Sequence, residues 1–196
     1  MRIQPARSLI ALFGAGLLAS ASTQAAPQRY QLDPTHTYAS FEADHMGIST
    51  WRGKFNKTSG EVTLDRETGT GRVLVTIDPD SIDFGLDQMN AVARSDQLFN
   101  TAEHKYISYV GDLTDFVAGA PTRVVGSLTL RGVTKPVNLQ LNSFKCIPHP
   151  LFKRELCGAD AYAVFNREEF GMDAGKSFGF KMDVVLRIQI EALAVQ

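Results

Sequence analysis

Asp183-Val184-Val185-Leu186-Arg187-Ile188-Gln189-Ile190-Glu191-Ala192 is the longest alternating run in the chain. Val184, Leu186, Ile188, Ile190 and Ala192 alternate with Asp183, Val185, Arg187, Gln189 and Glu191, and a period of two sends each set to its own face of a strand. A slip of one residue would turn the apolar face outward, so the register is strongly specified. The same alternation recurs upstream: Ala159, Ala161, Ala163 and Phe165; Val137, Leu139 and Leu141; Val124, Gly126, Leu128 and Leu130; Val73, Val75 and Ile77; Val62 and Leu64; Ala39, Phe41 and Ala43. Turn-forming residues fall between the runs: Thr68 with Gly69 and Gly71, Gly119 to Pro121, Arg131 with Gly132, and Asp173 to Gly175. The pattern predicts an all-β domain of about eight or nine short antiparallel strands, closed as a barrel or packed as a sandwich so that no long edge is left exposed.

Between Ile82 and Phe99 the period changes. Leu86, Met89 and Val92 recur at helical spacing and Leu98 and Phe99 follow, which predicts a short helix. Its apolar stripe would either cap an open barrel end or cover a sandwich edge.

The N-terminal segment reads differently. Arg2 and Arg7 precede an apolar run from Leu9 to Ala19 and then small residues ending Thr23-Gln24-Ala25, the pattern of a secretory signal peptide cleaved near Ala25. The run is short of the roughly twenty apolar residues a membrane-spanning helix needs, and no later segment of the chain supplies them. Residues 1–25 are therefore expected to be a signal peptide and 26–196 one domain, exported to the periplasm or secreted. Removing Arg2 and Arg7 from 20 basic residues against 21 acidic ones leaves a mildly negative domain with scattered cations, which argues against nucleic acid as a partner. The two cysteines, Cys146 and Cys157, would meet an oxidising compartment and are expected to form a disulfide. Their spacing is not the C-x-x-C of a metal site or a redox motif.

Motifs that carry chemistry are missing from this pattern. His36, His45, His104 and His149 show no H-x-H or H-x-x-x-H spacing, there is no G-x-S-x-G nucleophile elbow, and no G-x-G-x-x-G phosphate cradle. Asp78, Asp80 and Asp83 surround Pro79 and lack the rest of a calcium loop, so they read as a turn. No catalytic residue, metal or cofactor is predicted. His45 shares the parity of Phe41 and Ala43 and is the histidine expected to point inward. The twelve phenylalanines of the full chain, eleven of them beyond residue 25, either fill a core or line a cavity, since a barrel of about eight strands has room for one small ligand.

The motifs themselves resemble the YceI-like family over essentially the whole domain. Asp33-Pro34-Thr35-His36-Thr37 through Phe41, His45-Met46-Gly47-Ile48, and Arg52-Gly53-Lys54-Phe55 resemble its opening signature. Arg94, Ser95, Leu98 and Phe99 resemble its middle segment, and Leu128-Thr129-Leu130-Arg131-Gly132-Val133-Thr134-Lys135-Pro136 its most specific motif. Asn166, Arg167, Phe170, Gly171 and Met172 resemble the closing one. His104-Lys105-Tyr106 departs from the family's usual Tyr-Pro, and the cysteine pair belongs to a subgroup at most.

The resemblance implies an extended, lipocalin-like antiparallel barrel with a capping helix, binding a polyisoprenoid, a quinone or a similar long-chain amphiphile in its lumen. It carries over no catalytic residue. On this expectation the tail lies against Phe41, Ala43, Met89, Leu98, Phe99, Ile107, Tyr109 and Leu128, with His45 or Arg94 nearest the head group. The alternatives are a lipid-modifying hydrolase or isomerase using His45, and a metal-handling periplasmic protein. Whether the chain pairs as a homodimer is left open.

Overall fold

The computed structural model describes residues 26–196, so the expected signal peptide lies outside the described residues. The C-terminal alternating run folds as β12 (Asp183–Ala194) and pairs antiparallel along one edge with β11 (Glu155–Asn166). Its other edge takes two partners in series: β2 (Tyr38–His45) beside residues 184–189 and β1 (Gln28–Leu32) beside residues 192–194. β1 and β2 are thus halves of one interrupted strand.

The interruption propagates into the neighbouring strands. β3 (Ser49–Phe55) lies beside β2, and β4 (Thr58–Asp65) beside β1. β5 (Thr70–Ile77) then lies beside β4, and β6 (Ile82–Asp83) beside β3. β7 (Ile107–Thr114) joins β5 to β8 (Arg123–Leu130). Along β8 run β9 (Val133–Pro136) and the start of β10 (Leu139–Pro148), which goes on to pair with β11. With each interrupted pair counted once, eight strands run up and down in chain order, and the pairing of Tyr30 with Ala194 and Leu32 with Ala192 closes the ring. The all-β expectation holds as a closed barrel, not a sandwich.

The first interruption has a local cause. Pro34 has no N–H to give to a ladder. The Asp33 carboxylate accepts from the Thr35 N–H and hydroxyl and from His36, and the hydrogen bonds from Thr35 and then His36 hold its pKa down to about 2. Thr37 returns the chain to the sheet by bonding to the backbone of Glu191. The third interruption is the predicted aspartate turn, a single 3-10 turn over Pro79–Ser81 with Asp78 as its N-cap.

At the end of the barrel where β4 turns into β5 and β10 into β11, the buried Tyr30 donates its hydroxyl to Glu155, which also pairs with Arg66. This strut links three elements across the barrel end. Burial raises the pKa of Glu155, but the hydrogen bonds from Tyr30 and Arg66 and the charge of Arg66 outweigh it, so the net direction is down. A carboxyl depressed in the folded state stabilises the fold above its unfolded value, and that contribution disappears as pH falls through the folded one. Urea unfolding of Glu155→Gln should therefore show less stability than wild type at pH 7 and a gap that narrows below about pH 4.5, the ordinary glutamate value. A gap that is unchanged down to pH 3 on the glutamate reference scale would refute the assignment.

Cys146 and Cys157 face each other across β10 and β11, with Cα atoms 4.0 Å apart, and are disulfide-bonded. The two strands run further than the sequence pattern indicates, so the turn shrinks to residues 149–154, where His149 accepts from the N–H groups of Leu151 and Phe152.

At the opposite end lies the one α-helix among the described residues, α1 (Asp87–Arg94). Its expected stripe needs correction. Met89 and Val92 meet the interior, but Leu86 is 59% exposed, and the helix buries Asn90 and Ala93 instead. Asn90 is inside because its side chain accepts the Phe84 N–H and donates to Asp83, fastening the helix to β6.

Candidate functional site

The inward faces of the eight strands do not meet at the centre. They enclose a cavity of about 500 Å³ that continues to the end capped by α1. Val184, Leu186, Ile188, Ile190 and Ala192, the apolar face of β12 over residues 184–192, stand on its wall. So do Ala159, Ala161 and Phe165 of β11. Two glycines let aromatic rings lie flat on this wall. A Cβ at Gly53 would come within 2.6 Å of the Phe41 ring, and one at Gly126 within 2.5 Å of the Tyr109 hydroxyl. The Tyr109 hydroxyl donates to the Val137 carbonyl, and burial pushes its pKa upward.

Of the ten predicted ligand-contact residues, the structure brings eight to the wall: Phe41, Ala43, Met89, Leu98, Phe99, Ile107, Tyr109 and Leu128. Near the helix the rings of Phe41, Phe55, Phe84 and Phe99 pack at 5.4 to 6.5 Å. His45 and Arg94 are not on the wall. His45 has the inward parity expected of it but sits just beyond the cavity, stacked on Trp51 at 4.3 Å and edge-on to Phe180 at 5.0 Å. Arg94 turns away to the β5–β6 connection, where it donates to the Asp80 carbonyl and lies 3.9 Å from that residue's carboxylate. It holds the C-terminal end of α1 in place, and Thr101 bonds to the same carboxylate.

The wall also includes residues the sequence reading passed over. Trp51, the single tryptophan, lines it opposite Ala43, and Phe180 contributes from the loop after β11. Arg167 lines it as well, at the position that continues the parity of Ala161 and Phe165, which is the signal that would have found it. Burial lowers the pKa of this guanidinium, with the charge of Asp173 acting the other way.

Among the described residues, the grouping suited to a metal is Cys146, Glu155 and Cys157, and both of its sulfurs are committed to the disulfide. No helix among them is long and apolar enough to cross a membrane.

The YceI-like domain family matches the chain over residues 30–192, from β1 into β12. The chain belongs to the YceI-like family. A relative from Shewanella denitrificans, named UPF0312 protein, is 29% identical over 177 residues, which covers 90% of this chain and 88% of the relative. Two solved structures share the YceI-like barrel. BcnA of Burkholderia cenocepacia is 20% identical with a TM-score of 0.65, covering 82% of this chain and 98% of its own. A polyisoprenoid binding domain from Saccharophagus degradans is 18% identical with a TM-score of 0.62, covering 85% and 98%.

Proposed function

We propose that this YceI-like protein holds one long apolar molecule, a polyisoprenoid or quinone-like lipid, in its lumen, and carries or stores it in the periplasm without altering it. The observation that carries this reading is the cavity itself. It is enclosed by strands, walled almost wholly by aliphatic and aromatic side chains, and left unfilled by them. Burial of a hydrocarbon tail there needs no directed chemistry. At about 0.8 kcal/mol per buried carbon, one five-carbon isoprene unit supplies roughly 4 kcal/mol gross. Three such units exceed the roughly 8 kcal/mol of micromolar affinity and leave a margin for ordering the tail. The Saccharophagus degradans neighbour, described as polyisoprenoid-binding, supports the ligand class. The signal-like N-terminus and the disulfide support the compartment.

Full-length protein expressed with its N-terminal segment and purified from the periplasm without detergent should carry an apolar molecule in a one-to-one ratio, visible as added mass in native mass spectrometry and identifiable after extraction. A barrel that is uniformly empty, and that takes up neither ubiquinone nor polyprenyl compounds, would sink the proposal.

A further inference from the structure

At the end remote from α1, the hairpin of β10 and β11 leaves its neighbours behind. β10 parts from β8 after Gln140 pairs with Arg123 and the Leu141 N–H donates to the Thr122 carbonyl, and from Ser143 to Pro148 its strand partner is β11 alone. On the other side, β11 is covered by β12 only as far as the pairing of Leu156 with Leu193. The 149–154 turn thus lies beyond the last paired residue of both flanking strands. Its apex is apolar: Leu151 is 78% exposed and Phe152 59%, with Ile147 exposed on the strand below.

The turn holds these side chains out by construction. The His149 N–H donates to the Arg154 carbonyl at 2.7 Å and the Lys153 N–H to the His149 carbonyl at 3.0 Å. The His149 ring accepts from the N–H groups of Leu151 and Phe152 at 3.1 Å and stacks on Phe152 at 4.5 Å. Pro148 and Pro150 fix their own φ angles, and Lys153 takes the left-handed region at φ 53°. The disulfide fastens the strands two residue pairs below. Around the apex the charge has one sign. Lys145 and Lys153 are exposed, Arg154 is half-buried over the Phe152 ring at 5.8 Å, and none of the three pairs with a carboxylate among the described residues. Between Asp115 and Asp160 the chain has one acidic side chain, Glu155, and Tyr30 and Arg66 engage it.

We propose that this hairpin tip docks on the surface of a bilayer containing anionic phospholipid, with Leu151 and Phe152 entering the acyl region and Lys145, Lys153 and Arg154 at the level of the phosphates. The two apolar side chains gain by leaving water. The cations keep their charged ends among the phosphates while their stems lie along the apolar layer, and each is drawn to a negative lipid surface. A bilayer suits this surface better than a folded protein does. A stable protein interface takes about 20–30 residues a side, far more than a convex six-residue turn presents, whereas a fluid bilayer needs no matching concavity. Docking there turns the α1 end of the barrel away from the bilayer.

Protein purified from the periplasm is sedimented with sucrose-loaded vesicles of phosphatidylcholine alone or of two parts phosphatidylcholine to one of phosphatidylglycerol, at about 0.1 M salt. The mixed vesicles should bind it at least about tenfold more tightly than phosphatidylcholine does, and added salt should weaken that binding. Replacing Leu151 and Phe152 together by asparagine should weaken it by about tenfold or more. Lys153→Asn, which puts a residue tolerant of the left-handed region in place of the cation, should cost about fivefold. These side chains are exposed, so the variants should unfold at the parent's midpoint, which thermal unfolding checks. Protein that stays in the supernatant with both vesicles, as a tip serving a protein partner would leave it, overturns the proposal. So does equal binding to the two compositions, or a Leu151 and Phe152 variant that sediments as the parent does. The tip lies outside the lumen, so the outcome is the same for lipid-loaded and delipidated protein and is separate from the carriage reading.

Discussion

Ala161→Trp is expected to abolish lipid retention in a barrel that remains folded. Ala161 sits on β11 between Leu141 and Ile188 with its methyl group on the cavity wall, so an indole there projects into unoccupied space and does not collide with a packed core. Overpacking destabilises where side chains already fill the volume, and here the volume is open. What the indole displaces is tail. Loss of the room for one isoprene unit removes about 4 kcal/mol, on the order of a thousandfold in Kd. Val164→Trp, on the outward face of the same strand, should bind as wild type does. Equal lipid content in the wild-type and Ala161→Trp proteins after identical purification would show that the lumen is not where the tail lies.

The second large effect concerns the disulfide. Replacing Cys146 and Cys157 together by alanine should lower stability by about 3 kcal/mol, the loop-closure entropy of a crosslink spanning a dozen or so residues. For a domain of this size that is a fall in Tm of roughly 6 to 12 °C. Thermal unfolding of the double variant beside the oxidised parent checks it, and coincident midpoints would mean that the 149–154 turn is already formed in the unfolded chain.

The barrel was legible where a strand runs straight. The apolar face of β12 from Val184 to Ala192 reached the lumen because a regular two-residue period leaves no choice of face once the register is set. The helix was legible in place but not in orientation. Hydropathy favoured Leu86, whereas the hydrogen bonds between the Asn90 side chain and the Phe84 and Asp83 segment turned Asn90 inward, and propensity contains no term for such a partner. The interruptions in the first three double strands were hidden for a related reason. Asp33-Pro34 marks a turn, but only the tertiary bond from Thr37 to Glu191 shows that the chain resumes in the same strand beyond it.

In the site, the residues expected to meet the tail reached the wall and the two placed nearest a head group, His45 and Arg94, did not. Arg94 found a carboxylate and a carbonyl at Asp80, closer in the fold than the lumen is. Asp44 did the reverse: alternation assigns it to the outer face, but β2 ends one residue later and the turn at Gly47 draws the carboxylate round to the mouth.

The seam along which β12 meets β1 and β2 bears on how the molecule is assembled. Every pairing outside the seam that β1 and β2 make with β12 joins segments closer together in the chain, the kind that form early, whereas the seam brings Tyr30 to Ala194 and Ala43 to Val184 and cannot exist until the last strand has emerged. Until then the sheet is an open trough with two unpaired edges and its apolar inner face uncovered, and threading β12 into place converts that trough into a tube in a single step.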